Sequence, residues 1–64
     1  PFYIKHTAAT GASTANQVSN PVATGQGAYD GSIISWTPDS SAAGNTYYYQ
    51  CGNHQAMQGQ IIVT

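Results

Sequence analysis

One cysteine in 64 residues removes the usual staple of a small domain. A chain of this length buries only about 60% of the surface that its unfolded form exposes, so its core is thin. Small domains make up the difference with disulfides, a bound metal or a neighbouring subunit. Cys51 has no second cysteine to pair with, so a metal or a partner remains. No apolar run approaches the ~20 residues of a membrane-spanning helix. The opening Pro1-Phe2-Tyr3-Ile4-Lys5-His6 lacks the basic and apolar regions of a signal peptide. A start without methionine reads as that of a processed piece or fragment, with residues 1–64 forming a single domain or its C-terminal portion.

Charge narrows the partners. Only Lys5, Asp30 and Asp39 are charged, 5% of the chain, against roughly 25% in ordinary soluble domains. One basic residue cannot neutralise a series of phosphates, which argues against nucleic acid and against anionic membranes. The five tyrosines, Trp36, Phe2 and the Ile/Val pairs argue for a packed domain rather than a disordered one.

Four segments rich in β-branched and aromatic residues read as strands: residues 2–6, 32–37, 46–51 and 59–64. Alternation along the first places Phe2, Ile4 and His6 on one face and Tyr3 and Lys5 on the other. Residues 7–31 form a polar stretch longer than the 12 to 15 residues that structureless loops normally reach, so it hides a short strand or serves a contact. Residues 18–23 are the weak candidate strand within it. No stretch carries a convincing helical period, and the expectation is a sheet-on-sheet, all-β packing.

The only cysteine, one of two histidines and the only methionine stand three apart in Gln50-Cys51-Gly52-Asn53-His54-Gln55-Ala56-Met57. Read singly, they are a buried small side chain, a solvated loop residue and a gap-filler. Read together, a strand ending in Cys51 and a short loop bearing His54 and Met57 supply a thiolate, an imidazole and a thioether to one ion. This set suits copper cycling between two oxidation states. Zinc favours four Cys, His or carboxylate ligands, and an iron–sulfur cluster needs several thiolates.

At these residues the chain resembles the cupredoxin, or blue-copper, family over residues 32–64, with a ligand spacing like that of amicyanin-like members. The resemblance implies a Greek-key β-sandwich, truncated on its N-terminal side, with Cys51 and His54 as equatorial ligands and Met57 as the axial one. Alternation agrees with it, since Tyr47, Tyr49 and Cys51 share a face expected to point inward while Tyr48 and Gln50 point out. The two ends together are similar to small cupredoxin-like modules of marine microbial and cyanophage virion proteins, appended to larger chains. That likeness implies an extracytoplasmic or virion-surface location. It also implies a histidine immediately before the Pro-Phe-Tyr segment.

A blue-copper site needs a second histidine, and His6 is the only other one in the chain. Six residues of strand span roughly 20 Å, which separates His6 from that place, so the expected metal ligands are Cys51, His54 and Met57 alone. A sheet that begins at residue 2 also leaves an edge that preceding polypeptide or another subunit is expected to cover. No His/Asp constellation accompanies the serines and threonines, and Asp30 and Asp39 occupy separate turns, so no enzyme activity is expected. Two functions remain open. One is a copper module of a larger chain or assembly that transfers single electrons. The other is a structural decoration module in which the metal is a staple or absent.

Overall fold

Three of the β-branched and aromatic segments become strands in a computed structural model that describes residues 1–19 and 21–64. They are β1 (Phe2–Lys5), β2 (Thr46–Cys51) and β3 (Gln58–Ile62). The strands form one antiparallel sheet in the order β1-β2-β3. The described residues contain no α-helix, only single 3-10 turns at Thr14–Asn16 and Ser40–Ala42. Asp39 caps the second turn by accepting from the Ser41 N–H at 2.9 Å, the role expected of a short acidic side chain at such a start. No helix among the described residues is long and apolar enough to cross a membrane.

The register decides which backbone groups face outward. Phe2 lies opposite Cys51 and Lys5 opposite Tyr48, while Thr46 lies opposite Ile62 and Gln50 opposite Gln58. Gly52 N–H donates to the Pro1 carbonyl and Cys51 N–H to the Met57 carbonyl, each at 2.8 Å. Hydrogen-bonded and non-bonded pairs alternate in an antiparallel ladder. It follows that Phe2, Ile4 and His6 aim their backbone groups away from β2 on one margin. Gln58, Gln60 and Ile62 do so on the other.

The polar stretch between the strands closes the β1 margin. Phe2 N–H donates to Ala28 O at 2.8 Å and His6 N–H to Asn16 O at 3.0 Å. The Gln26 amide takes both groups of Ile4, accepting from its N–H at 2.7 Å and donating to its carbonyl at 2.8 Å. Val18 N–H reaches the same carbonyl at 3.1 Å. This differs from the expectation that added polypeptide or another subunit covers this edge. A primary amide carries a donor and an acceptor side by side, so one side chain substitutes for a residue of strand.

Residues 32–37 do not form a strand. They contribute one bridge, Thr24 with Ser35, and leave Ile33 82% exposed. Gly25, at φ +81°, brings its backbone against the Ile33 carbonyl so closely that a Cβ would collide, and this left-handed turn ends the pairing after one step. Residues 18–23, of which Asn20 lies outside the described residues, give the bridge Ser19–Val22 and the buried side chains Val18 and Ala23.

The core is small: Tyr3, Val18, Ala23, Ala42 and Cys51 are its buried apolar residues, joined by buried Lys5 and Gln50. Here the alternation holds but the expected facing is reversed at two positions. Gln50 is buried and Tyr49 is 47% exposed. The face carrying Tyr3, Lys5 and Gln50 is sealed by residues 9–11, for Lys5 Nζ donates to Ala9 O and Gly11 O at 2.6 Å and Gly11 N–H to Gly52 O at 3.1 Å. On the opposite face Tyr47 meets Trp36 edge-on, with ring centroids 4.8 Å apart, and Trp36 Nε1 donates to Pro21 O at 2.9 Å.

Candidate metal centre

Cys51 closes β2, so its sulfur hangs from the rigid end of a strand, and only 4% of the residue is exposed. The chain then turns through Gly52. A Cβ at that position would press on the Tyr3 ring at 3.0 Å, which explains the glycine after the cysteine. Met57 N–H donates to His54 O at 3.0 Å, folding the loop back so that Met57 stands across from Cys51 and returns its carbonyl to the Cys51 N–H. Opposed residues of an antiparallel ladder share a face. His54 and Met57 are exposed.

The decisive distance is between donors. Cys51 Sγ lies 3.5 Å from His54 Nδ1. A thiolate at about 2.3 Å and an imidazole nitrogen at about 2.0 Å from one ion, at a tetrahedral angle, stand about 3.5 Å apart. The same separation serves as a weak S···N hydrogen bond without metal. The Asn53 N–H also points at Sγ, at 3.5 Å. These donors stabilise the anion: the Asn53 N–H first and His54 after it, against the opposing cost of burial, bring the Cys51 thiol from 9.0 down to about 7. A thiol poised there is half ionised near neutrality, which readies it for a soft cation.

Compared with protein-family models, with curated proteins and with solved structures, the chain matches none.

The donor set fits part of a copper shell. Among the described residues no three His, Cys, Asp or Glu side chains gather, so Cys51 and His54 would be the strong donors of this loop and Met57 its thioether. His6 follows the far end of β1, with its Nε2 2.8 Å from Ala15 O. A cleft of about 440 Å³ lined by Phe2, Tyr29, Asp30 and Ile34 contains none of the three loop donors and a single carboxylate.

Gln50 is the residue that the sequence pattern missed. Its buried amide donates to Cys51 O at 3.0 Å and to His54 O and Gln55 O at 3.3 Å. It therefore ties the ligand loop to β2 from beneath. Its position beside the cysteine was visible, but period-2 alternation read it as solvent-facing. Only the burial of that face reveals the tether.

Proposed function

We propose that the chain is a cupredoxin-like copper-binding module that works as part of a larger chain or assembly, with single-electron exchange at the copper. The three-stranded sheet is then one layer of a Greek-key β-sandwich whose other layer is completed by neighbouring polypeptide. The observation that carries this reading is the 3.5 Å separation of Cys51 Sγ and His54 Nδ1 at a strand end, in a loop that returns Met57 opposite the cysteine. Copper, when bound, supplies the one-electron couple. The chain would supply an ionised thiolate from Cys51 and an imidazole from His54, with exposed Met57 as a weak thioether donor.

A second reading, a structural decoration module of a virion or surface assembly, is favoured by the surface charge. Lys5, the only Lys or Arg, is fully buried, so no such side chain is left to steer a soluble redox partner. Copper titration with imidazole present to fill an open coordination position tests the first reading. One equivalent of copper with intense visible thiolate absorption is expected, abolished by Cys51→Ser and weakened by His54→Ala. A protein that stays colourless and binds no copper overturns it. A copper protein whose electron exchange with small-molecule donors is negligible favours the structural role.

A further inference from the structure

The chain treats the two margins of its sheet unequally. Every outward N–H on the β1 side, from Phe2, Ile4 and His6, is hydrogen-bonded within the chain. On the β3 side, Gln60 and Ile62 direct their N–H and C=O outward in the equivalent register, and among the described residues no strand pairs with that margin. Natural sheet edges are blunted by charges, proline, bulges or a covering loop. The β3 sequence Gln58-Gly59-Gln60-Ile61-Ile62 has none of these.

We infer that β3 is a self-pairing edge, onto which a second copy of this chain adds its own β3, antiparallel, about a two-fold axis at Gln60. The register chooses the partner. With Gln60 facing its own copy, Ile62 faces the other copy's Gln58 and Gly59 faces its Ile61. Both outward groups of Gln60 then pair with the copy's Gln60, and the Ile62 N–H finds the copy's Gln58 carbonyl, whereas the Gln58 N–H is already donated to Ala56 O at 3.1 Å. Two facing glutamine amides each offer a donor and an acceptor, so the central pair satisfies itself.

The side chains agree with this register. The Tyr49 ring lies across Gly59, where any Cβ would collide with it, and the tyrosine is nevertheless 47% exposed. The copy's Ile61 arrives beside that ring, an aliphatic-on-aromatic cross-strand contact. Ile62, 68% exposed in the single chain, gains a neighbour in the copy's Gln58. No ionised side chain occurs in β3, so the two copies meet without like-charge repulsion. Because the β1 margin is already bonded, pairing stops at two copies and gives a closed dimer rather than a fibre. A single strand edge is small beside the roughly 1,200–2,000 Å² of stable interfaces, so the dimer dissociates on dilution. None of this depends on a metal.

Sedimentation equilibrium of the chain over a dilution series, up to about a millimolar, tests the inference. The expected result is a mass that rises from monomer to twice that value and stops there, unchanged by Cys51→Ser. In a sample mixing labelled and unlabelled chains, an intermolecular contact between the α-protons of Gly59 and Ile61 is expected. Gln60 does not use its N–H toward β2, so Gln60→Pro removes only the outward donor and is expected to hold the chain monomeric at tenfold higher concentration. Ile62→Lys places a charge on the same edge without touching the ladder and is expected to do the same if the proline variant fails to fold. A mass that stays monomeric throughout, one that climbs beyond two copies, or a dimer that persists in folded Ile62→Lys overturns the inference.

Discussion

The β2–β3 hairpin and the long polar stretch that wraps β1 are organised by different means. In the hairpin, main-chain groups pair with main-chain groups along a regular ladder from Asn45–Val63 to Cys51–Met57. In the wrapping stretch, scattered main-chain bonds such as Phe2 N–H to Ala28 O are joined by side chains that bond backbone: Gln26 holds both groups of Ile4, Lys5 holds the carbonyls of Ala9 and Gly11, and Trp36 holds that of Pro21. A segment of Ala, Thr, Gly and Ser therefore need not form strands to close a sheet. Isolated main-chain bonds and a few polar side chains with the right donors and acceptors do it instead. The corollary is that this region's stability is concentrated in single residues, whereas the hairpin's is spread along a ladder.

That contrast is sharpest at two glutamines. Gln26→Ala is expected to cost about 2–3 kcal/mol, because it strands the part-buried N–H of Ile4 and weakens the hold on its carbonyl. Gln60→Ala, on the open margin, is expected to stay within about 0.5 kcal/mol in dilute solution. Denaturant unfolding of the pair checks both, and equal losses break the comparison.

Gln50 is the exception inside the hairpin, since its amide serves the ligand loop rather than the ladder. Gln50→Leu is expected to cost about 2 kcal/mol by leaving those loop carbonyls without their donor. Amide exchange in residues 52–57 is expected to accelerate more than in β1. Uniform acceleration across the sheet would remove Gln50 from its role as a loop tether.

Lys5 tests the wrapping stretch from the other side. Lys5→Met is expected to lower stability by about 1–2 kcal/mol near neutral pH, as two lost carbonyl contacts outweigh the relief of a buried charge. Burial lowers the Lys5 pKa below 10.5. Between the folded value and 10.5 the unfolded chain holds a proton that the folded chain has shed, so the native protein gains stability as pH rises through that window. The Met variant is expected to lose this gain, measured as the difference between the two unfolding curves against pH.

Near neutral pH Cys51 is expected to contribute little to stability, and its contribution grows as pH rises. Its folded pKa is depressed from 9.0 to about 7, so its contribution is complete above 9 and is lost as pH falls through 7. Thiolate absorbance in the ultraviolet is expected to titrate with a midpoint near 7 in the metal-free protein, moving upward in His54→Ala. A midpoint near 9 in the native chain would remove the thiolate pairing on which the metal reading draws.

Much of the sheet was readable because its strands announce themselves. The aromatic run Tyr47-Tyr48-Tyr49 and the Ile61-Ile62 pair have no good place except a pleated surface. The Cys51, His54, Met57 spacing was equally plain, being a pattern of rare residues three positions apart. The segment around Ile33 and Trp36 carried the same β-branched signal and yet made one bridge, because a left-handed glycine across from it turned the chain away. Such a turn is a property of Gly25 and Ile33 together, not of either segment.

By itself, then, the sequence determined a mostly β chain without disulfide or surface basic patch, the places of three of the four expected strands to within two residues, and a thiolate, imidazole and thioether in one loop. It also determined which residues share a face, since alternation is local geometry. Only the tertiary structure decided which face is covered, because that depends on where residues far along the chain come to rest. Burial of Gln50 and Lys5, the stand-in strand made by the Gln26 amide, and the closed β1 margin beside an open β3 margin all follow from that placement. A polar side chain reads as solvent-facing until the backbone groups that will satisfy it are brought within about 3 Å, and those groups lie up to 22 residues away.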